Sequence, residues 1–198
     1  TSGFKDKKIT NKCNEIFLER LIKFYHKNFK KKKKIKGMWQ ENLKLKFYDL
    51  INVLINKNKR GLCKILNNMF RNSISDGLCV GYEEYTKSKN FFGKIYIKTQ
   101  FNSYLEELRK NKINIDMLKF ENVGNPTGIK YKAKYIGIET LRHANQAFTM
   151  TKLTSNIKKP KILEIGGGIG GTCYQYIYSF NKKKAINYYL VDILEVLI

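Results

Sequence analysis

The pattern that most constrains this 198-residue chain is a strand, a glycine turn, a helix and a second strand near its end. Residues 161–165, Lys-Ile-Leu-Glu-Ile, predict a short buried strand, and five glycines follow between residues 166 and 171. A helix is predicted over 171–180 and a second strand over 188–192. This order is the opening βαβ unit of a doubly wound parallel sheet, so the predicted fold class is α/β.

A glycine turn at the end of a strand lets a ligand approach the backbone closely, and two ligand classes use this geometry. The spacing Gly166-x-Gly168-x-x-Gly171 satisfies the dinucleotide fingerprint, so spacing alone does not separate the two classes. Glu164, two residues before the first glycine, favours S-adenosylmethionine. A carboxylate there would repel a pyrophosphate but can accept hydrogen bonds from the amine of S-adenosylmethionine.

Asp192 is the last residue of the second predicted strand. A carboxylate at this position can accept hydrogen bonds from both ribose hydroxyls of a nucleoside ligand. It fits either ligand class, and the alternative is that it serves as a helix cap or turn residue.

The segments 163–171 and 189–197 resemble the class I S-adenosylmethionine-dependent methyltransferases. More narrowly, they resemble the sugar O-methyltransferase family, which carries an Asp-Leu-Pro-Glu-Val-type segment after the second strand. Here Ile193-Leu194 stands in place of Leu-Pro. The segment 123–126 and the helix around 141–143 are also similar to that family, so the resemblance covers about residues 120–198.

The resemblance implies a Rossmann-like sheet, S-adenosyl-L-methionine as cofactor, and methyl transfer to a hydroxyl of a sugar or glycan acceptor. It implies that Glu164 lies near the methionyl amine of the cofactor and that Asp192 holds its ribose. Gly166, Gly168 and Gly170 would form the cofactor turn. It identifies no catalytic residue and no metal site.

Two neighbouring residues on the helix before the first of these two strands are further candidates for binding the cofactor or the substrate. Arg142 can meet the carboxylate of the cofactor, or it can form a surface salt bridge. His143 can act as a base or contact the substrate, but a partly buried histidine with one hydrogen bond is the favoured interpretation.

The chain is predicted to divide into a mainly helical region (1–120), a turn, hairpin and helix (121–160), and an S-adenosylmethionine-binding region (161–198). A βαβ unit needs about 30 residues, and residues 161–198 have room for only one such unit. We therefore expect the sheet to be truncated after its second strand and the segment to be inactive alone. Segment 73–93 is turn-rich and predicts no regular element. Before residue 161, helices are predicted over 11–30, 39–55, 62–70, 104–109 and 141–153. Thr140 is the predicted cap of the last of these helices. A short turn is predicted over 113–120, and a strand or hairpin over 129–136.

The formal net charge of +23 suggests a nucleic-acid partner. The alternative function is a basic nucleic-acid-binding protein, or an RNA methyltransferase, that uses the lysine-rich segment. However, the chain has 34 Lys and only 5 Arg, together with 20 Asn and 23 Ile. That combination is typical of AT-rich codons, and phosphate recognition favours arginine. We therefore interpret the basic run Lys30–Lys36 as a solvated linker.

The sequence contains no run of 18 apolar residues, so no transmembrane segment is predicted. The four cysteines, Cys13, Cys63, Cys79 and Cys173, are scattered without CxxC spacing. We therefore expect free thiols, neither zinc nor disulfides, and a cytoplasmic protein.

Overall fold

The computed structural model describes residues 13–29, 45–76, 81–118, 123–182 and 185–192. They form helices and two small sheets, which confirms an α/β chain. Short 3-10 turns cover Met69–Arg71, Ser73–Ser75 and Ile115–Met117. The helices are α1 (Glu15–Phe29), α2 (Tyr48–Ile55), α3 (Lys59–Asn67), α4 (Gly81–Lys87), α5 (Phe91–Lys110), α6 (Ile138–Leu153) and α7 (Gly171–Gln175), and the strands are β1 (Gly128–Tyr131), β2 (Lys134–Gly137), β3 (Lys161–Ile165) and β4 (Asn187–Val191).

Helices α1, α2 and α3 pack together around one apolar core. The helical spacing of the sequence predicts these three helices, and the structure confirms each of them. Helix α1 is shorter than predicted and α3 is shifted toward the N-terminus, while residues 39–44 of the second predicted helix lie outside the described residues. Asn58 caps α3, because its side chain accepts a hydrogen bond of 2.8 Å from the backbone N–H of Gly61. The buried members of this core are Leu18, Leu21, Ile22, Tyr25, Phe47, Leu50, Leu54, Leu62, Cys63 and Ile74.

A disulfide joins Cys13, just before α1, to Cys63 on α3. The expectation of free thiols is therefore wrong for this pair, because packing α1 against α3 brings together two cysteines 50 residues apart. Cys173 is a free thiol, and Cys79 lies outside the described residues. The prediction of a cytoplasmic protein rested on free thiols and loses that support here.

The turn-rich interpretation of residues 73–93 is wrong for its second half, which contains α4 and the start of α5. Helix α5 begins at Phe91 rather than Tyr104, after Asn90 accepts a hydrogen bond from the backbone N–H of Gly93. Large apolar side chains lie on both sides of the first half of α5, and they hide the helical period in the sequence.

The antiparallel hairpin of β1 and β2 is confirmed, with Gly128 opposite Gly137 and Tyr131 opposite Lys134. Helix α6 follows directly and begins at Ile138 rather than after Thr140, so Thr140 is not its N-cap. Residues of α5, the hairpin and α6 share a second apolar core, whose buried members are Ile97, Phe101, Leu105, Leu108, Ile113, Leu118, Ile129, Ile136, Ile138, Leu141 and Ala144.

Strands β3 and β4 pair in parallel, from Lys161 opposite Asn187 to Ile165 opposite Val191. Helix α7 crosses between them and continues as a π-helix over Tyr176–Phe180. The predicted βαβ order is therefore present. The prediction that the first strand is buried is wrong: one face of the pair lies toward the fully buried Tyr176, whereas the other face is exposed. The exposed apolar side chains of that second face are Leu163, Ile165, Tyr189 and Val191.

Candidate functional site

The turn between β3 and α7 is built from glycines in a conformation that side chains disfavour. Gly166, Gly168 and Gly170 have φ angles of +70°, +53° and +72°. Residues with a Cβ rarely adopt this left-handed region, so the path of the turn depends on glycine. A Cβ added at Gly166 would meet no atom within 4 Å, so this part of the turn faces open space.

Two backbone N–H groups of the turn attach it to the end of β4. Gly166 donates to the carbonyl oxygen of Val191 at 2.8 Å, and Gly168 donates to Oδ2 of Asp192 at 2.8 Å. The structure therefore places Asp192 directly beside the glycine turn. In this position it already acts as a turn residue, because its carboxylate holds a backbone N–H group.

Glu164 lies on the face of β3 that is turned toward α7, and it is half-buried. Its Oε2 accepts a hydrogen bond of 2.7 Å from the hydroxyl of Tyr188. Burial and the neighbouring Glu164 raise the pKa of Tyr188, so its hydroxyl keeps its proton and remains a donor. A Cβ on Gly167 would lie 2.8 Å from Leu190 and 3.2 Å from Cδ of Glu164, so this glycine allows the turn to pack against both.

Arg142 lies one turn after Glu139 on α6, and its Nη2 donates to Oε2 of Glu139. The same carboxylate oxygen lies 3.5 Å from Nε2 of His143. Arg142 is therefore engaged in an ion pair with a buried carboxylate rather than with a surface group. It is connected to the glycine turn indirectly, through Glu139 and His143.

His143 joins α6 to the first residues of α7. Thr172 donates its hydroxyl hydrogen to Oε1 of Gln146 at 2.9 Å, so His143 donates from Nδ1 to Oγ1 of Thr172 at 3.0 Å. A Cβ on Gly171 would come within 2.4 Å of the imidazole ring, so the ring packs directly on this backbone. Burial and the charge of Arg142 lower the pKa of His143 to about 4, and the ring is neutral at pH 7.

No family model, no curated protein and no solved structure matches this chain.

The structure brings Glu164, the three glycines and Asp192 to the carboxyl end of the parallel pair, as the sequence predicts. Sequence reasoning missed Tyr188 and Thr172. Tyr188 shares a strand face with Leu190, the residue opposite Glu164, so strand parity could have indicated it. No local signal indicates Thr172, because its contacts cross 26 and 29 residues.

A second group of buried carboxyls lies beside Arg142. Burial, together with the neighbouring Glu139, raises the pKa of Glu84 on α4 to about 9. Burial also raises the pKa of Glu139, while Arg142 opposes that shift. At pH 7 Glu84 is therefore protonated and carries no charge.

Among the residues that the structure describes, no three His, Cys, Asp or Glu side chains are grouped to hold a metal ion. In the same part of the chain, no helix is long and apolar enough to cross a bilayer. The basic run Lys30–Lys36 lies outside the described residues, so its interpretation stays a prediction.

Proposed function

We propose that this chain forms part of an S-adenosylmethionine-dependent O-methyltransferase. The observation that supports this most is the placement of two carboxylates around the glycine turn. Glu164 and Asp192 lie at the carboxyl ends of neighbouring parallel strands, and the positive-φ glycines lie between them. In open α/β sheets, ligands bind at this edge, beyond the carboxyl ends of the strands.

The residues present fit the cofactor. The open space at Gly166 gives a ligand access to the backbone, and Glu164 supplies an acceptor for its cationic amine. A carboxylate has acceptor sites for about four hydrogen bonds, so the bond from Gly168 to Asp192 is compatible with binding ribose hydroxyls. When bound, the sulfonium supplies an activated methyl group, and the main contribution of the protein is to position the two reactants.

Glu164 also argues against a dinucleotide at the same turn. Its carboxylate is fixed by Tyr188 beside Gly167, where a pyrophosphate would meet it at close range in a partly buried setting. The repulsion between like charges is several times stronger there than in bulk water. A sugar or glycan hydroxyl as acceptor rests on the resemblance of residues 120–198 alone.

Titration of the intact protein with S-adenosylmethionine and with NADH, followed by calorimetry, tests the proposal. We expect S-adenosylmethionine to bind preferentially. Glu164→Gln and Asp192→Asn should each weaken its binding by about tenfold or more, because each removes a charge-assisted hydrogen bond to the ligand. Circular dichroism and the melting temperature of each variant show whether the fold is kept.

Glu106→Gln is the matched control, because Glu106 is an exposed carboxylate on α5 that pairs only loosely with Arg109, at 3.8 Å. This variant should bind S-adenosylmethionine like the unchanged protein. Preferential binding of NADH, or equal losses in the control and in Glu164→Gln, would overturn the proposal.

A further inference from the structure

The first two turns of α5 carry four large apolar side chains in solvent. Phe91, Phe92, Ile95 and Tyr96 are 72%, 81%, 49% and 47% exposed. At 100° per residue they cover a sector of about 140° of the helix. The opposite side of the helix faces the second core through its buried residues Ile97, Phe101, Leu105 and Leu108. We call the four exposed residues the aromatic ridge.

Lysines surround the aromatic ridge, and no Asp or Glu occurs between residues 85 and 105. Nζ of Lys87 lies 4.4 Å from the ring centroid of Tyr96, and Nζ of Lys89 lies 4.4 Å from that of Tyr85. The first contact holds an ammonium group against a ring of the ridge, whereas Tyr85 lies on the preceding helix, α4. The other two lysines of this stretch, Lys94 and Lys98, are exposed on α5 itself.

Of the carboxyls on the preceding helix, Glu83 forms an ion pair with Lys87 and offsets its charge, whereas Glu84 is buried and protonated at pH 7. The positive charge beside the ridge therefore comes mainly from Lys89, Lys94 and Lys98. The ridge is therefore an apolar surface within a positively charged surround.

We propose that the aromatic ridge docks the protein on an anionic membrane surface. Phe91 and Phe92 would enter the boundary between headgroups and acyl chains, while Lys94 and Lys98 contact acidic headgroups. Exposed aromatic side chains beside lysines are the residue types by which surface-bound segments enter the interface and contact acidic headgroups. The inference is independent of the proposed methyltransferase function.

The geometry favours a membrane over a nucleic acid. The rings of Phe91 and Phe92 meet edge to face, with centroids 5.7 Å apart and an interplanar angle of 76°, so each restricts the stacking face of the other. Ile95 has no ring on which a base can stack. It also favours a membrane over a protein partner, because protein interfaces are enriched in arginine and depleted in lysine.

Co-sedimentation of the intact protein with vesicles tests the proposal. We expect binding to phosphatidylcholine vesicles that contain about 30% phosphatidylserine, and much weaker binding to phosphatidylcholine alone. The double variant Phe91→Ser/Phe92→Ser should lower the affinity for the anionic vesicles by about tenfold or more, because it removes the apolar surface that enters the bilayer. Lys94→Gln/Lys98→Gln should weaken binding to the anionic vesicles and remove part of its salt dependence.

Phe17→Ser/Tyr48→Ser is the matched control. It also removes two exposed aromatic side chains, 52% and 63% exposed, but Phe17 and Tyr48 lie on two different helices, α1 and α2, away from the ridge in the chain. Vesicle binding should be unchanged in this variant, and all variants should keep their melting temperatures. Absence of binding to the anionic vesicles would overturn the proposal, as would an equal loss in the control. Binding to single-stranded RNA that depends on Phe91 and Phe92, without vesicle binding, would assign the ridge to a nucleic acid instead.

Discussion

Two neighbouring glycines of the turn are required for different physical reasons. At Gly166 the requirement is conformational, because φ is +70° and the space around an added Cβ is empty. At Gly167 the requirement is steric, because an added Cβ would approach Leu190 to 2.8 Å. The first glycine keeps the turn in shape, and the second lets it lie against the sheet.

We therefore predict that Gly167→Ala destabilises the fold by about 1–3 kcal/mol through overpacking. Gly166→Ala should destabilise it by about 1 kcal/mol through backbone strain. A second substitution, Leu190→Ala, separates the two causes in urea unfolding, because it removes the atoms that Gly167→Ala would strike. Its effect should be non-additive with Gly167→Ala and additive with Gly166→Ala. If Leu190→Ala were equally additive, or equally non-additive, with Gly167→Ala and with Gly166→Ala, this explanation would be contradicted.

Glu84 makes the stability of the fold depend on pH. Its pKa rises from 4.5 to about 9 in the folded chain, so between these values the folded state holds a proton that the unfolded state has released. The free energy of unfolding therefore decreases as pH rises through this window, and the contribution of Glu84 is fully present only below about pH 4.5. His143 acts in the opposite sense, between about pH 4 and 6.5, so measurements above pH 7 exclude the contribution of its imidazole.

We predict that Glu84→Gln, which preserves the neutral shape of the side chain, flattens the pH dependence of stability. Between pH 7 and pH 9 the unchanged protein should lose at least about 1.4 kcal/mol of unfolding free energy relative to this variant. Urea unfolding at several pH values measures the difference. Glu83→Gln, an exposed neighbour on the same helix, should keep the original slope. A slope shared by Glu84→Gln and the unchanged protein would show that Glu84 is not the titrating group.

At the scale of elements, the disulfide connects α1 to α3 within the first core. It closes a loop of 50 residues, for which the loss of unfolded-chain entropy corresponds to about 4 kcal/mol. Cys63→Ser should therefore lower the free energy of unfolding by up to this amount, and dithiothreitol should cause a similar loss in the unchanged protein. Dithiothreitol should have no further effect on Cys63→Ser. Cys173→Ser, which removes a free thiol, should respond to dithiothreitol like the unchanged protein.

The elements that the sequence predicts well are those whose apolar residues follow one period. Helix α1 buries Leu18, Leu21, Ile22 and Tyr25 on one stripe. In β1, β2 and the turn between them, lysines alternate with apolar or aromatic residues along the sequence. Helix α5 was not predicted over its first half, because its aromatic ridge and its buried stripe lie on opposite sides of the helix. Apolar residues therefore occur in nearly every direction around the helix axis, and no single helical period is visible in the sequence. The exposed aromatic ridge is thus the reason why the sequence did not predict the first half of α5.

The candidate site likewise has a part that the sequence predicts and a part that it does not. Glu164, the glycines and Asp192 are spaced along the chain by strand and turn lengths, so their meeting at one sheet edge follows from the βαβ order. The contacts of His143 with Thr172, and the position of Glu84 near Glu139, depend on how α4, α6 and α7 pack. Packing between distant segments leaves no periodic signal in the sequence, and neither does the pairing of Cys13 with Cys63.

At the scale of the whole molecule, the described residues form two apolar cores of different composition. The first is helical and contains the disulfide, and the second combines α5, the hairpin and α6. Helix α6 belongs to the second core and also packs against α7, so it connects this core to the glycine turn. The turn is therefore supported from one side by a packed helix and, through Gly166 and Gly168, by the end of β4 from the other.

The parallel pair itself has little support of this kind. Among the described residues, β3 and β4 pair only with each other, and Ile165 on their uncovered face is 79% exposed. Local opening of the two strands should thus require less free energy than opening of α5 or α6, and their amide hydrogens should exchange sooner. A ligand that bridges Glu164 and Asp192 would bind only the closed pair. Its apparent affinity would be reduced by the open fraction, and its binding would slow amide exchange along both strands.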